Sequence, residues 1–137
     1  MASNFLDILS QLHDSNVDFV IVGGVAAALH GGSRVTFDLD VVPSLAPDSW
    51  MAAVDLLWSL GARPRIPEPL DRIRDVVSES HQFEGLRQRA TKVTIDGRTF
   101  FVASIDDLIG MKRSAGRPQD LLDITQLEDI RKRREEP

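Results

Sequence analysis

Asp38 and Asp40 stand two residues apart in Phe37-Asp-Leu-Asp-Val-Val42, with apolar residues between and around them. That alternation has the period of a β-strand, in which residues i and i+2 project from one face. It predicts a strand over Phe37–Val42, ended by Pro43, with both carboxylates on one face and Phe37, Leu39 and Val41 on the other. Its flanks are apolar enough for a central strand. Aspartate is depleted in strands, and two carboxylates side by side repel unless a cation neutralises them. A hard divalent ion such as Mg²⁺, held by oxygen ligands, does so. Two such ions activate an attacking hydroxyl and stabilise a leaving pyrophosphate. Upstream, Gly23-Gly24 follows the run Val17–Val22. Glycines let the backbone approach a ligand closely, and a following helix N-terminus offers N–H groups to a phosphate. A Gly-Gly pair alone reads as a tight turn, and an Asp-x-Asp alone as a solvated strand face. Together they describe nucleoside triphosphate chemistry.

These residues need a frame. Phe5, Ile8, Leu9 and Leu12 have the i, i+3, i+4, i+7 spacing of a helix over Asn4–Asp14, with Ser3 as N-cap. Val17–Val22 reads as a buried strand and Val25–His30 as a short helix stopped by Gly31-Gly32. Pro47 opens a helix to Leu60 with an apolar face of Trp50, Val54, Leu57 and Trp58. Three prolines between Pro64 and Pro69 argue against regular structure there, and a short strand over Ile73–Val77 and a short helix over Gln82–Arg89 follow. Lys92–Ile95, Asp96-Gly97 and Arg98–Val102 read as a two-residue β-hairpin. Ser104-Ile-Asp-Asp107 is a capping-box-like start for a helix to Arg113. After Gly116-Arg-Pro118 a last helix runs to Arg133, with Leu121, Ile124, Leu127 and Ile130 as its apolar face. The order predicts one α+β domain over residues 1–137, a small mixed sheet packed with helices and closed by two C-terminal helices.

Composition narrows the chemistry. The 137 residues contain no Cys and three His, which excludes a disulfide framework, thiolate zinc and a Cys nucleophile, and argues against a histidine metal site. The longest apolar run, Phe19–Leu29, is too short to span a bilayer and lies too far in for a signal peptide. A cytoplasmic protein without a membrane partner is expected. The net charge of −5 argues against a nucleic-acid coat protein and a double-stranded DNA partner. It is unevenly spread: residues 1–62 hold seven acids and one base, Arg34, whereas residues 63–137 hold fifteen bases and fourteen acids.

Gly23-Gly24, thirteen intervening residues, then Asp-hydrophobic-Asp-hydrophobic resembles the signature of the DNA polymerase β-type nucleotidyltransferase superfamily. With His30-Gly31, Arg34 and Thr36, the motif is similar to the small bacterial and archaeal members, the minimal nucleotidyltransferases and the abortive-infection nucleotidyltransferase toxins. Val102-Ala-Ser-Ile-Asp-Asp-Leu-Ile-Gly-Met-Lys112 and Gly116-Arg-Pro-Gln-Asp120-Leu-Leu-Asp123-Ile resemble the helix pair that closes the domain in those proteins, so the likeness covers nearly the whole chain.

The resemblance implies a nucleotidyltransferase fold. It implies Mg²⁺, as two ions, or Mn²⁺, held by Asp38 and Asp40, a triphosphate held by Gly23 and Gly24, Lys112 facing the phosphates, and Asp120 or Asp123 completing the site. It also implies a third carboxylate, catalytic and metal-binding, on a later strand. Asp75 in Ile73-Arg-Asp-Val-Val77 is the best match, though Arg74 interrupts its flank; Glu79 and Glu84 fit less well. Other readings stand beside these. Lys112 suits a solvated helix end. Asp120 suits a first-turn acid, and Asp123 a partner for Arg117 or a surface place. Arg34 serves a local salt bridge, or contacts a phosphate or the sheet-end carboxylates, and His30 caps or packs. Arg63, Arg65, Arg72 and Arg74, with Arg87, Arg89, Lys92 and Arg98, line an acceptor groove or form ordinary surface.

The expected activity is Mg²⁺-dependent transfer of a nucleoside monophosphate from a triphosphate such as ATP to a hydroxyl of a protein or RNA, such as tRNA. The resemblance adds a toxin–antitoxin setting, with a toxin or antitoxin partner. The alternative is a fold that has lost catalysis and acts by binding, as an antitoxin does.

Overall fold

In the computed structural model of the chain the described residues are 2–65 and 82–135. The expected strand over Ile73–Val77, with Asp75, Arg72, Arg74 and Glu79, lies outside them. Among the described residues are α1 (Ala2–Asp14), β1 (Phe19–Val22), α2 (Gly23–Leu29), β2 (Asp40–Pro43), α3 (Pro47–Ser59), α4 (Phe83–Arg89), β3 (Thr91–Ile95), β4 (Arg98–Val102), α5 (Ile105–Ala115) and α6 (Pro118–Glu135). None of these helices is long and apolar enough to cross a membrane. The elements form an α+β fold with a mixed four-stranded sheet in the order β2-β1-β4-β3.

Two compact units are built, each from two stretches of chain: Met1–Phe19 with Val42–Glu84, and Val20–Val41 with Gly85–Pro137. In the first, α1 packs on α3 and buries Leu9 and Leu12. Ser49 of α3 accepts a hydrogen bond from the Asp18 N–H at 2.9 Å, fixing the chain just before β1. The buried face of α3 differs from the expected one. Ala53 is its fully buried residue, while Leu57 and Trp58 are exposed. Arg63 then covers Trp58, its guanidinium 3.7 Å from the ring centroid.

The second unit carries the Gly-Gly and Asp-x-Asp motifs. Val20, Ile21 and Val22 of β1 are buried, as expected of a β-branched run inside a sheet. β1 runs parallel to β4, pairing Val20 with Phe101 and Ile21 with Val102. β4 returns antiparallel on β3 through Asp96 and Gly97, whose φ of 50° and 76° are those of the expected two-residue turn. Ser104 caps α5 by accepting the Asp107 N–H at 3.1 Å. α5 packs on α2 and on α6.

β2 and α6 differ from the expected elements. β2 begins at Asp40 rather than Phe37, and among the described residues it lies at the end of the strand order rather than inside it. The Thr36 hydroxyl accepts the Asp38 N–H at 3.3 Å and donates to the Asp38 carbonyl at 3.2 Å, offering the backbone a local alternative to a ladder. The pleat argument therefore does not reach Asp38, and Phe37 is 89% exposed. The buried stripe of α6 is also different. It is Asp120, Asp123, Ile124, Leu127 and Ile130, while Leu121 is exposed. Carboxylates occupy core positions because cations come with them.

Candidate active site

α2 starts at Gly23 itself, so the Gly-Gly pair is the first turn of the helix rather than a turn before it. Two separate contacts require glycine there. Gly23 has φ +69°, and a Cβ on it would lie 2.4 Å from Asp40 Oδ2. A Cβ on Gly24 would lie 2.8 Å from Thr36 Cβ and Oγ1. The pair is thus a bare floor against which Asp40 and Thr36 rest. Among the described residues, no hydrogen bond or ion pair holds the carboxylate of Asp38 or Asp40, and both residues are exposed.

Gly23→Ala tests this packing directly. The methyl needs the space of the Asp40 carboxylate and a backbone conformation that alanine resists, at roughly 1 kcal/mol or more. We expect the nucleotidyl transfer that the sequence resemblance implies to fall at least about tenfold while thermal unfolding drops only several degrees. Equal activity in the variant would detach Gly23 from the site.

Behind this floor lies a chain of alternating charges. Arg34 Nε meets Asp123 Oδ1 at 2.9 Å. Lys112 Nζ donates to Asp123 Oδ2 at 2.9 Å and stands 3.8 Å from Asp120 Oδ1. Asp120 accepts from the Arg117 backbone N–H at 3.1 Å, from Nε at 2.9 Å and from Nη2 at 3.1 Å. The backbone bond, from three residues on, is the half of a capping box that closes a helix start. The Arg117 guanidinium holds the Asp120 carboxyl below its usual range, and outweighs the opposing effect of burial. Arg117 in turn is held charged by Asp120 first, and also by the fields of Asp123 and Asp40.

Lys112 is therefore neither a solvated helix end nor an open cation. Its side chain is 9% exposed and sits between two buried carboxylates. The exposed cations are Arg34 and Arg117, with side chains 46% and 58% exposed. Arg34 lines a narrow cleft with Gly24, Gly32, Thr36, Asp123 and Gln126. Arg117 and Gln126 were not among the expected site residues; the i, i+3 spacing from Arg117 to Asp120 at a helix start was the available signal for Arg117. Of the basic groups expected on an acceptor surface, Arg89 pairs with Asp107 at 2.8 Å and Arg87 stacks over Phe101 at 3.2 Å.

The donor set bears on a metal. Among the described residues, no three His, Cys, Asp or Glu side chains gather into a metal-binding group. Mg²⁺, however, is commonly held by one or two carboxylates and completed by water and substrate phosphates. Asp38 and Asp40, exposed and without an ion pair among the described residues, are oxygen donors of that kind, so the residues fit the ion.

His30 closes the far end of α2. Arg134 Nη1 lies 3.1 Å from His30 Nδ1 and His30 Nε2 lies 2.8 Å from the Ala103 carbonyl. Arginine only donates and a carbonyl only accepts, so the ring is neutral with its proton on Nε2. Burial depresses its pKa below 6.5; the Ala103 bond opposes this and the Arg134 charge adds to it. A depressed folded value means stability fully present above about 6.5 and lost as pH falls toward the folded value. The contribution of Asp120, likewise depressed, is lost only below 3.8. Melting temperatures between pH 7.5 and 5 should therefore fall in the wild type, with a smaller slope in His30→Gln. An unchanged slope in the variant would contradict this assignment.

A family profile described as a nucleotidyltransferase of unknown function (DUF6036) matches residues 3–133. The chain belongs to that family. A search of curated proteins gives no match. For this nucleotidyltransferase family member, the match spans both the Gly-Gly and Asp-x-Asp motifs and the helix pair that carries Lys112, Asp120 and Asp123.

Proposed function

We propose that the protein transfers a nucleoside monophosphate from a nucleoside triphosphate to a hydroxyl of a protein or RNA, in a Mg²⁺-dependent reaction. The observation that carries this reading is the seating of the Asp40 carboxylate on Gly23, with Thr36 on Gly24 and Arg34 in the adjoining cleft. A bound divalent ion would supply charge neutralisation at the phosphates and a more nucleophilic acceptor oxygen. Asp38 and Asp40 would hold it, with a third carboxylate, for which Asp75 remains our assignment, taking the hydroxyl proton. Gly23 and Gly24 leave room for the triphosphate. Arg34, and Arg117 beside the Asp40 field, would offset its charge, each already oriented by a carboxylate that leaves part of the guanidinium open. Lys112, Asp120 and Asp123 hold those arginines in place.

The acceptor oxygen attacks the α-phosphorus and forms the new P–O bond. The bond from that phosphorus to the bridging oxygen of the β-phosphate breaks, and pyrophosphate leaves with the electron pair. Incubating the pure protein with each α-labelled nucleoside triphosphate, Mg²⁺, and total tRNA or cell lysate identifies nucleotide and acceptor together. We expect label on one macromolecular class. No label on any of them, with metal present, would favour the binding-module reading.

A further inference from the structure

We propose that Gln126 is a positioning residue that, with Asp123, holds the segment carrying Asp38 in its working place. This rests on the reading of Asp38 and Asp40 as metal ligands. Residues 33–39 form neither helix nor strand. Among the described residues, no backbone-to-backbone hydrogen bond ties residues 33–38 down. Burial does not hold them either, since Val35 and Phe37 both face solvent. What holds the segment is polar and comes largely from α6.

Gln126 spends both ends of its amide on Ser33. Its Oε1 accepts the Ser33 N–H at 3.1 Å, and its Nε2 donates to Ser33 Oγ at 2.8 Å. One turn back along the helix, Asp123 pairs with Arg34. Gly32 fits tightly between α2 and α6; a Cβ there would lie 2.9 Å from the Ala27 carbonyl and 3.3 Å from Gln126 Oε1. Thr36 then rests on Gly24 and folds its hydroxyl onto the Asp38 backbone. The path from α6 to Asp38 is thus six residues long and is pinned at Ser33, Arg34 and Thr36. Losing the first pin frees the end of a segment that has no ladder to fall back on.

Support shells around metal ligands are commonly worth 10- to 100-fold in affinity. Gln126→Leu keeps the bulk and removes both bonds. Gln126→Glu keeps an acceptor for the Ser33 N–H, and the Ser33 hydroxyl can turn to donate to it. The full chain is titrated with Mn²⁺ alone, read by electron paramagnetic resonance, alongside millisecond hydrogen exchange over residues 33–38. We expect Gln126→Leu to weaken Mn²⁺ binding about tenfold and to speed exchange in that segment, with global unfolding little moved, and Gln126→Glu to recover both. Wild-type affinity in Gln126→Leu, unchanged exchange, or a glutamate variant no better than leucine overturns the inference. A wild type that binds no Mn²⁺ is a different result, since it removes the metal-ligand reading itself before any Gln126 variant is compared.

Discussion

Asp38→Asn together with Asp40→Asn should reduce nucleotidyl transfer by about 10³-fold or more and leave the fold intact. The size follows from what the pair is asked to supply. Charge stabilisation by a bound ion at a transferring phosphoryl group is worth several kcal/mol, and each 1.36 kcal/mol is tenfold in rate. The intact fold follows from the surroundings. Both residues are exposed, and among the described residues neither carboxylate has an ion pair or hydrogen bond to lose. Two asparagines have nearly the same shape as the aspartates they replace. The melting temperature in the absence of metal should therefore stay level. Transfer rate and melting curve on the same sample check both halves. A variant that loses activity by unfolding would contradict the placement of these carboxylates as free, functional groups.

Lys112→Met should do the reverse, with its largest effect on stability. Methionine matches the stem of lysine in length and apolar character, so packing is kept and the charge alone is lost. Asp120 and Asp123 are buried and accept the charge of Lys112 between them. Removing one member of a buried ionic group typically costs about 3–5 kcal/mol, because the partner charges stay buried. Arg34 and Arg117 still serve one carboxylate each, which places the expected loss near the lower end, about 3 kcal/mol. For a chain of this size that is a drop on the order of 10 °C in melting temperature. Adding Asp123→Asn should recover part of it, since fewer negative charges then remain for the two arginines, and the cycle measures the coupling. If Lys112 instead served mainly as an open phosphate contact, its removal would leave stability unchanged while activity fell.

The contrast between these two sites explains what could be read in the residue order. Local signals were legible: the Asp96-Gly97 turn, the Ser104 cap and the apolar β1 run each act over a few residues, and each forms where expected. The Gly-Gly and Asp-x-Asp pairs were legible as a joint motif, and the family match agrees with the resemblance they carry. The start of β2 was not, because a single hydroxyl, Thr36, competes for the backbone of Asp38. Nor was the interior of α6. Periodicity assigns Leu121 to the core and has no means of placing Asp120 and Asp123 there, since the cations that permit it come from α5, from the loop before β2 and from Arg117. Gln126 was invisible for the same reason, its partner lying 93 residues away.

Whether the chain moves a nucleoside monophosphate, as proposed, is decided by the position of a label in the donor. The protein, its acceptor and Mg²⁺ are incubated in parallel with the same nucleoside triphosphate labelled at the α- or the γ-phosphate. Label transferred from the α position, none from the γ position, and release of pyrophosphate are the predicted result. Transfer of the γ label, or retention of both labels in unreacted nucleotide, would contradict it.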